Sequence, residues 1–279
     1  MNGIMLIDKP QDWTSHDVVA KLRGKLKLKR IGHGGTLDPM ATGLLPVFLG
    51  RATRAIQFMP GDKTYDAVMR LGVTTSTQDI TGAVLSTCGK RPDPTETALS
   101  FIGERLQTPP MVSAVKVNGQ KLYDLARRGI EVERAARPVT FYAIDISKID
   151  EDDYALRVKC SGGTYIRTLA HDIGQALGCG ASLAALRRVA VGDFTVDDAV
   201  GIDGAAEERL LPIETLFTRH PVHTLGADGE RLVRNGNPCA ADTADGLYRV
   251  YSPGGEFIAL GSAERGVLST VKSFFEVAS

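Results

Sequence analysis

The glycine-rich segment at residues 32–39, GHGGTLDP, holds the residue types in this 279-residue chain that could best support chemistry. It places one carboxylate, Asp38, close to an imidazole, His33, and a hydroxyl, Thr36. Glycines allow backbone conformations closed to other residues and let a ligand approach, and Pro39 restricts the backbone just after Asp38. The pattern predicts a turn that presents Asp38 as a general acid or metal ligand, with His33 as a candidate proton carrier. The alternative is an ordinary loop turn, in which Asp, Gly and Pro are common.

Regular elements are predicted on both sides of this turn. Apolar and alternating runs predict strands, and a three-to-four residue period with capping residues predicts helices, the first of which begins at Thr14 or Ser15. Strands and helices are interspersed, but they do not follow a regular βαβ order and no GxGxxG turn is present. We therefore expect an α+β fold with a mixed, largely antiparallel sheet. The predicted strands are residues 3–8, 44–49, 65–71, 139–149, 154–160 and 183–195; the predicted helices are residues 15–26, 95–106, 121–128 and 164–177.

The last part of the chain differs in character from the rest. After residue 212, short apolar runs are separated by His220-Pro221, Asn235-Gly236-Asn237-Pro238 and Pro253-Gly254-Gly255. Such punctuation is typical of short strands joined by turns. We therefore predict two domains, residues 1–215 and a small β-rich domain at residues 216–279.

Composition limits the possible classes of protein. The chain has 43% hydrophobic and 24% charged residues, which is ordinary for a globular protein. Its beginning lacks the pattern of a signal peptide and no apolar stretch approaches eighteen residues, so we expect a cytoplasmic protein without membrane attachment. The four cysteines form no CxxC pair, and neither a metal site nor a disulfide framework is predicted.

A basic segment directly precedes the glycine-rich turn. The 33 basic residues equal the 33 acidic ones, so the net charge does not suggest nucleic-acid binding. Residues 21–30, KLRGKLKLKR, nevertheless contain six positive charges and no negative one. The run could be a solvated helix face, as most charge runs are. Its position next to the glycine-rich turn favours an edge that binds phosphates. The candidate phosphate-binding residues are Lys21, Lys25, Lys27, Lys29 and Arg30.

A longer match decides whether the turn at residues 32–39 is a chemical site or an ordinary loop turn. Residues 32–50, GHGGTLDPMATGLLPVFLG, resemble the catalytic motif of the bacterial tRNA pseudouridine-55 synthases, the TruB family. The resemblance covers about the first two thirds of the chain, and the weaker pattern of the last 60 or so residues resembles a PUA domain. Further blocks in the family's order are DKP at 8–10, TS at 14–15, DKTY at 62–65, PPMVSAVK at 109–116, GQKLYDLARRGIEV at 119–132, GTYIRT at 163–168 and LRR at 186–188.

The resemblance implies a role for each site residue. Asp38 matches the catalytic aspartate and Arg167 the arginine that pairs with it; a neighbouring guanidinium would lower the pKa of Asp38 below about 3.9 and orient the carboxylate. Tyr65 matches the tyrosine that stacks on the target base and assists proton transfer. The other matches concern substrate binding: Tyr165 and Leu186 line the uracil pocket, His33 enters the T loop, and Asp79 lies near the flipped nucleotides.

The implied reaction isomerises uridine at position 55 in the T loop of tRNA to pseudouridine. The bond from the sugar to N1 breaks, the base turns and the sugar rejoins at C5, which requires neither a metal nor an organic cofactor. The nucleotide must first be flipped out of the loop, at a cost of a few kcal/mol. We expect a monomer that needs no protein partner. One alternative is an RNA-binding folding helper that opens the loop without chemistry; another is a glycosidase, which would need a second carboxylate.

This sequence departs from the family pattern at several positions. Gly34 stands where Thr, Ser or Ala is usual, Val112 where Tyr is frequent, Ser76 where Asp is common, and Asp12 where Gly is usual. None of these removes a proposed catalytic group. We expect them to affect RNA contacts rather than the chemistry.

Overall fold

The computed structural model describes residues 1–113, 115–117 and 119–275. Ala114 of the PPMVSAVK block and the last four residues of the predicted C-terminal domain lie outside the described residues. The helices are α1 (Ser15–Leu26), α2 (Thr95–Ser100), α3 (Leu122–Arg127), α4 (Ile166–Ala176) and α5 (Ala227–Arg234). The strands are β1 (Gly3–Lys9), β2 (Ile31–His33), β3 (Thr42–Leu49), β4 (Lys63–Leu71), β5 (Val73–Thr75), β6 (Val84–Thr87), β7 (Gly103–Gln107), β8 (Lys116–Val117), β9 (Gln120–Lys121), β10 (Arg137–Lys148), β11 (Asp153–Cys160), β12 (Ala181–Val191), β13 (Phe194–Thr195), β14 (Val222–Thr224), β15 (Cys239–Ala240), β16 (Gly246–Tyr251), β17 (Phe257–Glu264) and β18 (Val267–Ser273).

Helix α1 has the bounds predicted from the sequence because its start is encoded locally. The Thr14 hydroxyl accepts from the backbone N–H of Asp17 at 3.0 Å, and the Asp17 carboxylate accepts from the backbone N–H of Thr14 at 2.8 Å. This reciprocal capping box satisfies two backbone donors that the helix itself leaves without acceptors. Val18, Val19 and Leu22 then face the core and are buried.

Nine strands form the large sheet. Seven follow the order β1-β3-β12-β4-β11-β10-β7, while β2 pairs with β3 and β13 with β12. The pair β12–β3 is parallel, and the other pairs of this sheet are antiparallel. In β4 the even alternation of buried and half-buried residues turns Tyr65, Ala67 and Met69 toward the core. The mixed, largely antiparallel α+β sheet predicted from the sequence is therefore the one observed.

The prediction of a single helix at residues 95–106 is wrong in its second half. Helix α2 ends at Ser100, and residues 103–107 form β7, the edge strand that pairs with β10. Gly103 has a φ of +104°, which a right-handed helix cannot contain. The apolar spacing that suggested a helix includes Leu106, which is 75% exposed on the sheet edge.

A second sheet lies in the C-terminal part of the chain, with the order β14-β16-β17-β18-β15. It packs against the large sheet through an apolar cluster centred on Phe217, which is 2% exposed. The Phe217 ring centroid lies 5.5 Å from that of Phe58, 5.9 Å from Phe257 and 5.8 Å from Phe274. The same cluster contains Ile4 and Leu44 of the large sheet, so it joins the two sheets. Within the part of the chain that the structure describes, no helix is long and apolar enough to cross a membrane.

Candidate active site

The loop between β2 and β3 carries Asp38, and the backbone structure explains why glycine is required at two of its positions. Gly35 has a φ of +101°, a conformation that side-chain-bearing residues rarely adopt. Gly43, at the end of the loop, pairs with Arg188 of the parallel strand β12, and a Cβ there would lie 2.3 Å from the Arg188 carbonyl oxygen. Only glycine permits this approach. The loop is therefore held against β12, beside the buried part of the sheet.

Arg167 pairs with Asp38. It lies in the first turn of α4, is buried, and its Nε is 2.9 Å from Oδ2 of Asp38. The Nε–H group does not point at the oxygen well enough for a hydrogen bond, so the contact is an ion pair. The guanidinium is also fixed by two carbonyl oxygens, because it donates to Val112 at 2.8 Å and to Thr77 at 3.0 Å. Arg167 is thus a buried, oriented cation rather than a surface arginine.

Asp79 lies behind Arg167 and is not in the wall of the cavity described below. Its side chain is 6% exposed, and Oδ2 accepts from NH1 of Arg167 at 3.4 Å. Its Oδ1 accepts from the hydroxyl of Thr77 at 2.7 Å and from the hydroxyl and backbone N–H of Thr81, at 2.5 and 3.0 Å. The Asp79 carboxylate is therefore occupied by protein groups, with Arg167 between it and Asp38. A direct contact with flipped nucleotides, as the sequence suggested, stays a prediction.

A cavity of about 360 Å³ opens beside Asp38. This volume lies at the lower end of the range for small-molecule sites. Its walls bring together five of the residues singled out from the sequence, which come from three separate elements and the Asp38 loop: Asp38, Tyr65, Tyr165, Arg167 and Leu186. Lys63, Arg188 and Ser113 also line it, and Asp38 is its only carboxylate among the described residues.

Sheet register places Tyr65 beside Arg188. The two residues are directly paired across β4 and β12, and the positive charge of Arg188 lowers the pKa of Tyr65, against the larger rise that burial causes. Arg188 is fully buried and also donates to the carbonyl oxygens of Leu44 at 2.8 Å and Gly35 at 3.0 Å. It therefore connects the tyrosine to the Asp38 loop. In the sequence, Arg188 is marked only by the LRR block at residues 186–188, and its contacts could not be predicted from that block.

Burial sets the pKa values of the site. It raises the pKa of the Asp38 carboxyl above its ordinary value, against the opposing effect of Arg167, and the negative charge of Asp79 adds to the rise. Arg167 lowers the pKa of Asp38, as expected from the sequence, but desolvation outweighs this effect. The expectation that the pKa of Asp38 lies below its ordinary value is therefore wrong. A carboxylate with a raised pKa is a stronger base and nucleophile than an ordinary aspartate. Burial likewise raises the pKa of Tyr65, so its phenol stays protonated at neutral pH.

Lys9 fixes the far end of the loop. Its side chain is fully buried, and Nζ donates to the carbonyl oxygens of Trp13 at 2.6 Å, Pro10 at 2.9 Å and Pro39 at 3.3 Å. Burial lowers the pKa of Lys9 to about 8, while the charge of Asp38 opposes this shift. The DKP block at residues 8–10 marked the position, but sequence reasoning gave Lys9 no role.

His33 lies at a second, neighbouring cavity of about 560 Å³, which also reaches Asp38. Burial lowers the pKa of His33, with a further contribution from the positive charge of Arg188, so its imidazole is neutral at neutral pH. Its buried Nδ1 has no hydrogen-bond partner among the described residues. A neutral imidazole at the mouth of the site suits recognition of a base.

The basic segment lies apart from both cavities. Its candidate residues Lys21, Lys25, Lys27, Lys29 and Arg30 are all exposed. Lys25 donates to the carbonyl oxygen of Asp203, and Arg30 donates to the hydroxyl of Thr53 at 2.7 Å. The segment begins in α1 and continues past its C-terminal end, whereas Thr14, Ser15 and His16 at the other end line the second cavity. Twelve helical residues span about 18 Å.

The departures from the family pattern have local consequences. A Cβ on Gly34 would lie 2.9 Å from the Met59 side chain, so a larger residue requires Met59 to move. Val112 contributes its carbonyl oxygen to Arg167, which is independent of its side chain. The Ser76 hydroxyl accepts from the backbone N–H of Ala83 at 3.1 Å in the β5–β6 connection. None of these three changes alters a side chain that lines the 360 Å³ cavity.

Family models and curated proteins match most of the chain. Residues 23–166 match the N-terminal domain of the TruB family pseudouridylate synthases, and residues 167–218 match the tRNA pseudouridylate synthase B C-terminal domain. The tRNA pseudouridine synthase B of Clostridium kluyveri is 42% identical over 288 residues, which cover 98% of this chain and 100% of the relative. That of Dechloromonas aromatica is 44% identical over 291 residues, covering 100% of this chain and 97% of the relative.

Solved structures agree with this match. A Cbf5-Nop10-Gar1 complex contains a chain with 30% identity and a TM-score of 0.73, over 98% of this chain and 85% of that one. An H/ACA RNP bound to a substrate RNA containing 2′-deoxyuridine contains one with 27% identity and a TM-score of 0.71, over the same shares of the two chains. The predicted fold, a pseudouridine synthase sheet with a β-rich PUA-like unit, is confirmed. With both family models matched in order and relatives above 40% identity over its whole length, the chain belongs to the TruB family of pseudouridylate synthases.

Proposed function

We propose that this protein converts uridine to pseudouridine at position 55, in the T loop of tRNA. Its relatives named tRNA pseudouridine synthase B support the reaction and the class of substrate. The observation that carries the proposal is the pair of Asp38 and Arg167 in a cavity beside Tyr65. The cavity offers one carboxylate with a fixed guanidinium beside it, and an aromatic surface on which a flipped uridine can stack.

The geometry supports a division of roles. Tyr65 and Tyr165 offer ring surfaces on which a uracil can stack, worth about 1 to 3 kcal/mol, and Leu186 closes the apolar side. Asp38 promotes cleavage of the bond between C1′ and N1; a single carboxylate serves attack on the ribose, attack on the base, or proton removal that leads to a glycal. When C1′ is joined to C5, C5 loses its proton to solvent and N1 takes up a proton from solvent, so the reaction is a net isomerisation.

Two other candidates fit the site less well. A glycosidase with the common double-carboxylate mechanism needs a second carboxyl group, and among the described residues Asp38 is the only one that lines the cavity. A folding helper needs no ion pair between a buried Arg167 and Asp38, because opening a loop requires binding alone. Pseudouridine formation accounts for both the single carboxylate of the cavity and its ion pair with Arg167.

The same site bears on assembly and domain organisation. We infer a monomer that works without a protein partner, since the described residues complete the cavity within one chain. Residues 1–215 would form the catalytic domain and residues 216–279 the RNA-binding PUA-like domain. The cytoplasm, where tRNA is used, would be its location. Light scattering of the active protein tests the monomer.

The experiment is to incubate purified protein with unmodified tRNA transcript and to map pseudouridine by position. Wild type should modify the T-loop uridine alone. Asp38→Asn should yield no product while its tRNA affinity stays within a few-fold of wild type. Asp66→Asn is the matched control, because Asp66 is the next residue to Tyr65 on β4 but pairs with Arg157 at the surface. Turnover by Asp38→Asn would contradict the catalytic role of Asp38. Absence of product from wild type, together with equal promotion of tRNA folding by wild type and Asp38→Asn, would favour the folding helper.

A further inference from the structure

The 560 Å³ cavity beside the uridine site is built from different elements. It shares Thr36, Leu37, Asp38 and Ser113 with the 360 Å³ cavity, so the two are direct neighbours. Its other walls include His33 and the first residues of α1, Thr14, Ser15 and His16. A nucleotide placed in the first cavity has a chain neighbour that must pass close to the second.

The first turn of α1 supplies backbone donors to this cavity. The capping box uses the N–H groups of Thr14 and Asp17. The N–H groups of Ser15 and His16 are the first two of the helix and have no acceptor within it. The helix dipole adds a partial positive charge at the same end. The helix therefore begins at this wall with two N–H groups that have no acceptor within the helix, and with a potential that favours an anion.

A buried hydroxyl in the shared wall independently indicates a ligand. Ser113 is 6% exposed, and its Oγ has no hydrogen-bond partner among the described residues. Buried polar groups in proteins are nearly always paired, since leaving one unpaired is unfavourable. A hydroxyl donates equally well to a carbonyl or a phosphate oxygen. Next to a helix N-terminus, the phosphate is the better match.

The charges around the cavity favour an anion of low charge. His16 is exposed at the rim and interacts electrostatically with His33. Two carboxylates lie in the vicinity. Asp38 pairs with Arg167 on one side while its side chain stays 35% exposed, and Asp17 accepts from the hydroxyl of Thr14 at 2.6 Å. Their remaining negative charge argues against a dianion. A phosphodiester, with a single charge shared by two oxygens, fits this balance.

We propose that the 560 Å³ cavity binds an internucleotide phosphate of the RNA strand, adjacent to the uridine in the first cavity, through Ser113 and the N-terminal turn of α1. The proposal rests on the proposed function and assigns a site to a particular part of the substrate. It also gives Ser113 a role in binding rather than in chemistry.

The test uses T-stem-loop RNAs in which one phosphate at a time near the target uridine is replaced by an uncharged methylphosphonate. Affinities are measured for wild type, Ser113→Ala and His16→Gln, with Ser100→Ala as a control, because the Ser100 hydroxyl is exposed and bonds within α2. Ser113→Ala should bind the unmodified RNA about 10-fold more weakly, the effect expected of one hydrogen bond to a charged group. Its thermal midpoint should not fall, because the hydroxyl it removes has no partner.

We expect one phosphate position to differ from the others. The RNA with a methylphosphonate at that position should bind wild type about as weakly as Ser113→Ala binds the unmodified RNA. Ser113→Ala should bind this modified RNA almost as well as it binds the unmodified one. Normal binding by Ser113→Ala, or an equal loss with every RNA, would overturn the phosphate site. Wild-type turnover on the unmodified RNA is measured in parallel, so that a failure of the proposed function is recognised by missing product and a failure of this site by missing coupling.

Discussion

The guanidinium of Arg167 lies between two carboxylates, with its Nε 2.9 Å from Oδ2 of Asp38 and its NH1 3.4 Å from Oδ2 of Asp79. Only the first carboxylate reaches the cavity, and its side chain keeps 35% of its surface exposed, against 6% for Asp79. The second carboxylate thus balances the charge of Arg167 from behind. It keeps the arginine oriented while Asp38 remains open to a ligand.

Loss of Arg167 should damage both stability and turnover. Arg167→Met leaves Asp79 buried without its cation, and breaking a buried pair in this way costs about 3 to 5 kcal/mol of unfolding free energy. Arg157→Met is the control, because Arg157 pairs with Asp66 at 3.6 Å with both side chains exposed, and such pairs are worth about 0 to 1 kcal/mol. Urea unfolding and kcat measure the two effects. Equal destabilisation by the two variants would contradict the role of the buried pair.

The pKa of Asp38 predicts the acid limb of the pH profile. Burial raises the pKa of Asp38, so the ionised form is lost at a higher pH than for an ordinary aspartate near 3.9. We expect kcat/KM to fall as the pH drops through this raised pKa, because kcat/KM reports on groups of the free enzyme. Circular dichroism at each pH shows that the fold persists. An acid limb below about pH 4 would contradict the raised pKa.

The same pKa predicts how Asp38→Asn changes stability. When the folded pKa of a carboxyl exceeds the unfolded one, the folded state binds more protons between the two values, and stability falls as pH rises through that window. At neutral pH the desolvation of ionised Asp38 therefore opposes folding. The uncharged Asn should raise the thermal midpoint only slightly, because the side chain is 35% exposed to solvent and its ion pair with Arg167 is lost. Below the unfolded pKa of about 3.9 the difference should vanish. A constant difference at both pH values would show that packing, rather than ionisation, is responsible.

The sequence predicted what is locally encoded. Helix α1 has its predicted bounds because its capping box with Thr14 and Asp17 is contained in four residues. The Asp38 turn and its partner Arg167 were found because both lie in motifs. The contact of Arg167 with Asp79 joins residues 88 positions apart, and no local pattern indicates that it buries Asp79.

Other features depend on the folded environment and escape local reasoning. A lysine is ordinarily exposed, yet Lys9 is buried next to the Asp38 loop and donates to three carbonyl oxygens. The raised pKa of Asp38 arises from desolvation, which no spacing of residues reveals. Residues 101–106 have helical spacing, but Gly103 and pairing with β10 make them a sheet edge.

Exposed lysines after α1 should contribute to tRNA binding through phosphates. Lys27 and Lys29 lie with Arg23 around a shallow depression, whereas Lys25 already donates to Asp203. Replacing Lys25, Lys27 and Lys29 with Gln should weaken binding and flatten its salt dependence, with a slope change of roughly 0.7 to 0.9 for each phosphate that the variant no longer neutralises. The exposed Lys90 and Lys148, replaced together, are the control. An unchanged slope in the triple variant would place the segment away from the RNA.

The aromatic cluster at Phe217 should make the two sheets unfold together. Phe217 is 2% exposed and contacts rings from both parts of the chain, so Phe217→Ala should lower the unfolding free energy by about 3 to 5 kcal/mol. Tyr142→Ala, at a residue that is 52% exposed, should change it by less than about 0.5 kcal/mol. Trp13, the single tryptophan, packs against the core of the large sheet and reports on its unfolding. We expect Phe217→Ala to shift the unfolding transition seen by Trp13 fluorescence as much as the one seen by circular dichroism. A fluorescence transition that Phe217→Ala leaves unchanged would show that the sheets unfold independently.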